Sequence, residues 1–508
     1  MKRIVSLLLI VMLAISALAA CSEGENEASK AESKTESQGT DTSAEESLPE
    51  ESSEDCPLEA KFWDKTVSLL MADSKNVFRG EFWLDEIEEE SALSTVFADR
   101  SALLKEKYGI SIDVHYVANG TEVVSELTTA IDGGIPYNIV TNSANTLAPK
   151  TLDSYFWDFY EANKQVNDGK GYINFNADYW DQGLIEDMSV AGRMYFLTGD
   201  LCVSDDNATW AMIFNKDLVT KHNLTNPYDL VNDGTWTLDN MIAMAKEVVL
   251  MHGDKMSYNP EDGDVWGVLG QTYDGLMYML GFGCAKVQKN ADDIPELCIK
   301  NQRNIDCFDK LYNMFVDQSF CGIADFYGAW NSGVYGQETK MFTNGNALFM
   351  STNINTLFGD AFKNSDVEYG IVPMPKVDDL QEEYCASGNV YSVTVVTVPA
   401  CCPLEDLDVT LYTLEALAYY GKEMVTPSYY SLVLKGQKTK DEESEKNLDL
   451  IFKNRKYDLS DAYNFNDMIQ FYNRSFGNRS SNTYVSQCDA CTGSFESAIA
   501  QFVEVFNQ

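Results

Sequence analysis

The sequence is poor in basic residues. Its 508 residues include 37 lysines and arginines against 79 aspartates and glutamates, a formal net charge of −42. A phosphate backbone needs Lys and Arg opposite it, so we expect no nucleic acid among the partners of this chain. The same shortage argues against polybasic contact with lipid headgroups. An excess of acidic side chains instead favours solubility outside the cell.

Histidine is scarce, and its three positions are far apart in sequence: His115, His222 and His252. The pair Cys488 and Cys491 could form a short disulfide loop, a redox pair or half of a metal site. A zinc site would need two further ligands nearby, and no histidine is close in sequence. We therefore expect neither a metal nor another cofactor.

The amino-terminal residues form a short apolar run behind two basic residues. Lys2 and Arg3 precede the mostly apolar residues 4–18, and Leu-Ala-Ala-Cys ends at Cys21. A run of roughly fifteen residues is too short to span a bilayer but fits a signal peptide. The cysteine predicts a lipobox: residues 1–20 are removed and Cys21 is acylated. The predicted location is then the outer face of a bacterial cell membrane, extracellular and lipid-anchored. The alternative is an ordinary signal peptide followed by a chance cysteine.

Residues 22–55 consist mainly of Ser, Thr, Glu, Asp, Ala, Lys and Gly, with one leucine and no aromatic residue. Such a segment buries too little apolar surface to offset its ordering entropy, so residues 21–58 are predicted to be a lipidated cysteine and a disordered acidic linker. The chain has twelve cysteines, and eleven remain once Cys21 is set aside. Because an odd number cannot all pair, we expect buried thiols with room for one or two disulfides.

The composition becomes that of a folded protein from about residue 59. Strands and helices are predicted to alternate over residues 66–71, 92–108, 110–117, 121–131 and 137–141. This order is typical of a parallel α/β sheet. Ligands collect beyond the carboxyl ends of such strands, which directs attention to the polar residues 142–145. Further strands are predicted at residues 210–214, 265–270, 347–350, 368–372 and 391–398, and a mostly helical segment follows them.

A series of different short motifs follows in order over nearly all of the folded chain. The motifs are Asp99-Arg100, Ile131-Asp132-Gly133-Gly134, Tyr179-Trp180-Asp181, Gly192-Arg193-Met194-Tyr195, Phe214-Asn215-Lys216-Asp217-Leu218, Trp236-Thr237, residues 342–349, residues 369–376 and Pro427-Ser428-Tyr429-Tyr430. In this order and spacing they resemble the extracellular solute-binding proteins of bacterial ABC importers, in the carbohydrate-binding class typified by maltose-binding protein.

The resemblance implies an α/β, two-lobed periplasmic-binding-protein type II fold, with hinge crossings between discontinuous lobes. It places the crossings near residues 195–200, 347–351 and 400–426. The first lobe would then comprise residues 59–197 and 351–400. The second lobe would comprise residues 198–350 and 401–508.

A sugar presents hydroxyl groups at its ring edges and C–H patches on its faces, so its site needs amides or carboxylates together with aromatic rings. Where the family's loops converge, this chain offers Asn142, Asn145, Trp180, Asp206, Trp210, Tyr273, Asn353, Tyr391 and Tyr430. Structural alternatives stand beside these candidates. Trp210 lies in an apolar strand and could belong to the core, Asp206 could belong to a turn, and Tyr430 could only shape a loop near the hinge.

The function implied by the resemblance is that of a substrate-binding lipoprotein. It would capture an extracellular solute, an oligosaccharide in the first instance, and deliver it as a monomer to ABC permease subunits in the membrane. The sequence has no Gly-x-x-x-x-Gly-Lys-Ser/Thr loop, so the ATPase would be another subunit. It also lacks Gly-x-Ser-x-Gly and His-Glu-x-x-His, and we expect no enzyme. The alternatives are an exported glycoside hydrolase with two carboxylates and a surface sensing lipoprotein of the same fold.

Overall fold

The computed structural model describes residues 58–73, 82–83, 92–328, 333–435 and 441–506, all within one compact unit. The predicted signal peptide, Cys21 and the acidic linker up to residue 57 lie outside the described residues. Across the described ranges, no helix combines the length and apolar character that a bilayer span requires.

The strands are β1 (Lys65–Ala72), β2 (Ile110–Val117), β3 (Ile139–Ser143), β4 (Trp210–Asn215), β5 (Trp266–Gly270), β6 (Val287–Lys289), β7 (Pro295–Leu297), β8 (Cys321–Ile323), β9 (Ala347–Asn353), β10 (Tyr369–Val372), β11 (Ala386–Ser387), β12 (Thr394–Thr397) and β13 (Arg455–Lys456). The predicted strands are all present, with their ends shifted by a few residues.

The helices are α1 (Ala92–Tyr108), α2 (Gly120–Gly133), α3 (Ala144–Leu147), α4 (Phe159–Gln165), α5 (Gln182–Met188), α6 (Ser204–Asn207), α7 (Lys216–Lys221), α8 (Pro227–Asn232), α9 (Leu238–Glu247), α10 (Asp274–Gly281), α11 (Gln302–Val316), α12 (Val334–Thr343), α13 (Asp360–Lys363), α14 (Leu407–Tyr420), α15 (Thr426–Lys435), α16 (Glu442–Lys453), α17 (Leu459–Tyr463), α18 (Gln470–Gly477) and α19 (Tyr484–Phe506).

Local signals explain where several of these helices begin and end. Asn119 accepts hydrogen bonds from the first backbone N–H groups of α2, and Gly134 ends that helix with φ of 67°. Thr237 caps α9 through its hydroxyl oxygen, as its position before a run of apolar residues predicts. Capping side chains satisfy N–H groups that have no partner within the helix, and a glycine adopts the left-handed conformation without steric cost.

The first lobe is built around a four-stranded sheet in the order β12-β3-β1-β2. β1 is parallel to β2 along its whole length and parallel to β3, whereas β12 is antiparallel to β3. The predicted alternation of strand and helix over residues 66–141 is confirmed. Leu70 and Val140, on neighbouring strands, are fully buried on one face of this sheet.

The second lobe is built around a five-stranded sheet in the order β10-β4-β9-β5-β8. β5 is parallel to both β8 and β9, and β4 is antiparallel to β9 and to β10. All five residues of β5 and all six of β4 are buried. Alternate residues of β4 pack into different cores, Met212 and Phe214 into one and Ala211 and Ile213 into the other. Strands buried on both faces are uniformly apolar in sequence.

The bridges and strand pairs show where the chain passes from one lobe to the other. Leu197 still bridges to Val396 in the first lobe, and Trp210 begins β4 in the second, so the first crossing lies between them. The chain returns between Gly388, which bridges to Thr209, and Thr394. It leaves again through the π-helical turn Gly421–Val425, inside the range predicted for the third crossing.

Two parts of the predicted division differ from the structure. Residues 347–351 were predicted to be a crossing, but they belong to β9 at the centre of the second sheet, and β10 also pairs there rather than in the first lobe. Residues 401–420 were assigned to the second lobe, yet α14 packs in the same core as Val67 and Leu69 of β1. Strand pairing joins residues distant in sequence, so an apolar run does not reveal which sheet it enters.

Candidate ligand-binding site

The carboxyl ends of β5 and β9 and the start of β4 meet at one edge of the second sheet. Trp210 opens β4 and pairs with Asn353 at the end of β9. Tyr273 follows β5, and its ring centroid lies 6.2 Å from that of Trp210 in an edge-to-face arrangement. Two residues predicted from sequence therefore meet at the edge where α/β sheets bind ligands.

Tyr391 extends this pair into a row of three rings, the aromatic row Trp210–Tyr273–Tyr391. The centroids of Tyr273 and Tyr391 are 6.2 Å apart. Exposure rises along the row, from 7% at Trp210 to 40% at Tyr391. Because Tyr391 lies on the return crossing, the aromatic row connects the edge of the second sheet with the hinge.

An asparagine that we did not predict holds the aromatic row in place. The Tyr273 hydroxyl donates to Asn389 Oδ1 at 3.0 Å, and the same oxygen accepts a hydrogen bond from Tyr391 N at 3.0 Å. Asn389 N in turn donates to Ala208 O at 3.2 Å. Its only sequence signal was its position between Gly388 and the strand predicted at residues 391–398.

Further amides border the aromatic row from the carboxy-terminal helices. Gln470 Nε2 donates to the Tyr391 hydroxyl at 3.3 Å, and Asn473 Nδ2 donates to Gln470 Oε1 at 3.2 Å. The Thr272 hydroxyl donates to Asn473 Oδ1 at 2.7 Å. These groups, like Asn389, supply both donors and acceptors beside aromatic faces, which is the combination that a polyhydroxylated ligand requires.

The two asparagines predicted from the first lobe take different positions. Asn145 N donates to Val390 O at 3.1 Å, which places Asn145 beside the return crossing, and its buried Oδ1 has no hydrogen-bond partner among the described residues. Asn142 is engaged within its own lobe, where its Nδ2 donates to Gly120 O at 2.9 Å. Asn145 thus lies beside the residue that precedes Tyr391, while the Asn142 amide contacts the first residue of α2.

Three other predicted residues serve local contacts. Trp180 is buried in the first lobe, where its Nε1 donates to Glu415 Oε2 at 3.0 Å. Asn353 Oδ1 accepts hydrogen bonds from both the backbone N–H and the hydroxyl of Thr356 at 3.0 Å. The Tyr430 hydroxyl donates to Asp449 Oδ1 at 3.0 Å.

Asp206 belongs to an ionic cluster at the first crossing, which we call the Arg455 centre: Arg455, Asp181, Asp205 and Asp206. Arg455 Nη1 lies 2.5 Å from Asp181 Oδ2 and 2.6 Å from Asp205 Oδ2, and its Nη2 lies 2.5 Å from Asp206 Oδ1. The guanidinium is 3% exposed. Burial lowers the pKa of Arg455, but the surrounding carboxylates outweigh it and hold that pKa well above its usual value. Burial raises the pKa of Asp206, helped by the neighbouring Asp205 charge.

The Arg455 centre joins segments that are remote in sequence. Asp181 precedes α5 of the first lobe, Asp205 and Asp206 lie on the first crossing, and Arg455 opens β13, which pairs with β11 just before the return crossing. No local pattern in the sequence indicates that Arg455 meets three carboxylates, because the paired residues lie 249 to 274 positions apart. Its position assigns it to the hinge.

Carboxyl groups also lie beyond the ends of β5 and β8. Burial raises the pKa of Asp274 to about 7 and that of Glu338 well above its usual range. Asp325 accepts hydrogen bonds from Thr272 N at 2.7 Å and from the Tyr335 hydroxyl at 2.7 Å. In the part of the chain that the structure describes, no three His, Cys, Asp or Glu side chains are arranged to hold a metal.

A surface cavity of about 450 Å³ lies away from the aromatic row. It opens between the first lobe and the end of α19 and is lined by Trp157, Arg193, Tyr195 and Phe506, among others. None of the residues predicted for ligand binding lines it. The aromatic row, with its amides, combines aromatic faces with hydrogen-bond donors and acceptors, as a sugar site requires.

The structure matches solved structures of the same architecture over nearly the whole length of their chains. The sugar-binding protein MalE from Xanthomonas citri matches with a TM-score of 0.56 and 12% identity, over 87% of this chain and 100% of its own. UgpB from Mycobacterium tuberculosis, in complex with glycerophosphocholine, matches with a TM-score of 0.52 and 12% identity, over 81% of this chain and 96% of its own. An ABC substrate-binding protein from Listeria monocytogenes, in complex with cycloalternan, matches with a TM-score of 0.51 and 14% identity, over 86% of this chain and 98% of its own. No family model and no curated protein matches the sequence.

These likenesses establish the fold. The chain has the two-lobed α/β fold of the substrate-binding proteins of ABC transporters, and the predicted fold class is confirmed. The neighbours named here are binding proteins rather than enzymes.

Proposed function

We propose that this protein is the substrate-binding component of an ABC transporter and that it captures an oligosaccharide between its two lobes for delivery to a membrane permease. The aromatic row at the junction of the lobes carries the proposal. Sugar-bound neighbours of the same fold support it.

The aromatic row would pack against the C–H faces of the sugar rings, with Tyr391 as the most accessible platform. Asn145 from the first lobe and Gln470 from the second would hydrogen-bond to sugar hydroxyls on either side. Removing water from a sugar costs little free energy when aromatic faces and paired amides hold it, because each hydroxyl regains a hydrogen-bond partner. Trp210 and Tyr273 would form the buried end of the site.

The remaining predicted residues divide by location. Asn142 and Asn353 lie at strand ends that border the junction, and we retain them as contacts for a longer ligand. Asp206 and Tyr430 lie around the Arg455 centre and would act on the hinge. Trp180, inside the first lobe, would support the site from within.

Ligand binding would close the lobes by a hinge motion. A ligand shifts this equilibrium only through contacts that it makes better in the closed state. Asn145 and Gln470 belong to different lobes, so a sugar touching both favours closure. Because Tyr391 lies on the return crossing itself, a ligand bound to the aromatic row would directly change the contacts of the hinge.

We further propose that Cys21 is lipidated and that the acidic linker spaces the monomeric folded part from the outer face of the membrane. Its partners would then be the small-molecule ligand, the permease subunits and the membrane. Nucleic acid is not among them.

The test is thermal unfolding of the mature protein with neutral oligosaccharides, glycerophosphocholine, uronates and peptides. A ligand at a hundred times its dissociation constant stabilises the folded form by about 2.7 kcal/mol. We expect a raised midpoint with one class of oligosaccharide and full chromatographic recovery of that sugar. Degradation of the sugar would instead establish a glycoside hydrolase, and a shift with peptides alone would refute the proposed ligand class.

A further inference from the structure

Two cysteines meet in the interior of the second lobe. Cys284 follows α10, and Cys307 lies in α11; each is 1% exposed. Asn304 Nδ2 donates to Ala285 O at 3.0 Å, which fixes the residue next to Cys284 against α11. Because residues three apart share one face of a helix, Cys307 lies on the same face as Asn304, toward the segment that carries Cys284.

The two thiols belong to one buried apolar cluster, where Cys284 Sγ also lies 3.7 Å from Phe282 O. Interaction with the Cys284 side chain lowers the pKa of Cys307; burial opposes this effect and the nearby Arg303 guanidinium supports it. The same interaction, together with burial, raises the pKa of Cys284. Cys307 is therefore the thiol of the pair that ionises more readily, and a thiolate is the nucleophile in disulfide chemistry.

Other cysteines in the described part of the chain contact different groups. Cys488 Sγ lies 3.6 Å from Ile299 O, whereas Cys491 Sγ lies 2.9 Å from Gln487 O, so these neighbours on α19 point to separate acceptors. Cys402 Sγ contacts Pro403 O and the Thr410 hydroxyl. Cys284 and Cys307 differ because both are buried, on two segments that the Asn304–Ala285 hydrogen bond holds together.

We propose that Cys284 and Cys307 form a disulfide bond in the exported protein. The inference goes beyond the proposed function and is independent of the ligand. It requires only an oxidising compartment, where structural disulfides persist.

The bond forms by exchange with an external disulfide, such as that of a thiol oxidoreductase or oxidised glutathione. The Cys307 thiolate attacks one sulfur of the oxidant, breaks its S–S bond and releases one thiolate. The Cys284 thiol then loses its proton, and its thiolate attacks the mixed disulfide at Cys307 and releases the second thiolate. Two cysteines are oxidised, and one external disulfide is reduced to two thiols. Since both residues are buried in the finished fold, exchange takes place during folding, when Cys307 is already beside Cys284 and an oxidant can still reach it.

The disulfide would close a loop that contains the hairpin β6–β7. The Lys289 ammonium on this hairpin donates to Glu186 O at 2.6 Å and to Ser189 O at 2.7 Å, at the carboxyl end of α5 in the first lobe. The bond would fix the base of the hairpin in the second lobe while its tip contacts the first. A crosslink also reduces the freedom of the unfolded chain, which stabilises the folded state.

The test begins with the exported wild-type protein, so that no variant need fold. Free thiols are blocked with N-ethylmaleimide in acidic denaturant, and the protease digest is mapped by mass spectrometry. We expect a linked peptide pair containing Cys284 and Cys307 that disappears on reduction with dithiothreitol. Recovery of both cysteines in blocked form without reduction, or pairing of either with another cysteine, overturns the proposal.

Thiol counts in denaturant provide a second readout. The double variant Cys284→Ser/Cys307→Ser should keep the wild-type number of free thiols, whereas Cys284→Ser alone should gain one. Cys321→Ser, which removes a buried cysteine on β8, is the matched control and should lose one. A double variant with two free thiols fewer than the wild type would overturn the proposed disulfide. Reduction should also lower the unfolding midpoint of the wild type by a few degrees and leave that of the double variant unchanged.

Discussion

The Tyr273 hydroxyl donates a hydrogen bond to Asn389 Oδ1 at 3.0 Å, which joins the end of β5 to the return crossing. Asn389 N donates to Ala208 O, on the first crossing. One asparagine therefore connects an aromatic side chain of the proposed site with two of the segments that link the lobes. A ligand that displaces Tyr273 changes the contacts of the hinge directly, without a longer relay.

Tyr391→Ala should weaken sugar binding while leaving the fold intact. Tyr391 is the most exposed ring of the aromatic row, and loss of a stacking platform costs about 1–2 kcal/mol, roughly a tenfold loss in affinity. Isothermal titration with the sugar identified by thermal unfolding measures the change. Phe62→Ala is the control, since Phe62 is exposed and precedes β1, at the opposite edge of the first sheet from the site. Equal affinities in wild type and Tyr391→Ala would remove Tyr391 from the site.

Gly421→Ala should destabilise the hinge. A Cβ at Gly421 would lie 1.8 Å from the carbonyl oxygen of Asp200, so the first and third crossings would have to separate. Overpacking of this kind costs about 1–3 kcal/mol, and contact with backbone leaves little room for adjustment. Urea denaturation measures the free energy of unfolding. Gly477→Ala, where the structure shows no neighbouring atom within 4 Å, should leave it unchanged or raise it slightly. Equal stability of the two variants would contradict the close packing of the crossings.

Arg455→Met should be strongly destabilising, because it leaves the carboxylates of Asp181, Asp205 and Asp206 buried without a cation. Breaking a buried ion pair by removing one partner costs about 3–5 kcal/mol. Arg474→Met removes an exposed arginine that pairs with Asp467, and it should change stability by less than about 1 kcal/mol. The Arg455→Met protein should recover part of its stability in mild acid, where protonation relieves the repulsion. A loss no greater than that of Arg474→Met would show that the Arg455 centre contributes little.

Stability should fall as the pH rises from about 5 to 8. Burial raises the pKa of Asp200 to about 7, although the Thr426 hydroxyl that donates to its carboxylate opposes this rise. A carboxyl group whose folded-state pKa exceeds its unfolded value of about 3.9 stabilises the protein fully below that value, and the contribution is lost as the pH passes through about 7. Unfolding midpoints at pH 5, 6, 7 and 8 measure the trend.

Asp200→Asn should reduce this dependence on pH, because the amide cannot ionise. Asp489→Asn on the exposed surface of α19 should leave the dependence as in the wild type. A midpoint that rises steadily from pH 5 to 8 in the wild type would show that the buried carboxyl groups remain ionised in the folded protein.

The predictions that succeeded rest on local signals. The first three strands and the helices between them follow from alternating or helical spacing of apolar residues, and Thr237 was recognisable as a helix cap from its neighbours. In each case the physical cause operates over a few residues, so it is visible in the sequence. Trp210, Tyr273 and Tyr391 are candidates for ligand contact where the family's loops converge; the structure places their rings in one row, and their role in binding stays a prediction.

The pairings between distant segments were decided by the tertiary structure alone. Asp206 was selected for its polar chemistry, but its partner Arg455 lies 249 positions away, and a carboxylate has the same sequence signature whether it binds a ligand or a buried cation. The apolar run at Ala347–Asn353 was compatible with a crossing and with a central strand, since only the partners β4 and β5 distinguish them. Cys284 and Cys307 meet because α10 packs against α11. The sequence by itself determined the local elements and the chemistry available, and packing between remote segments decided which groups meet, because those contacts form only when the sheets assemble.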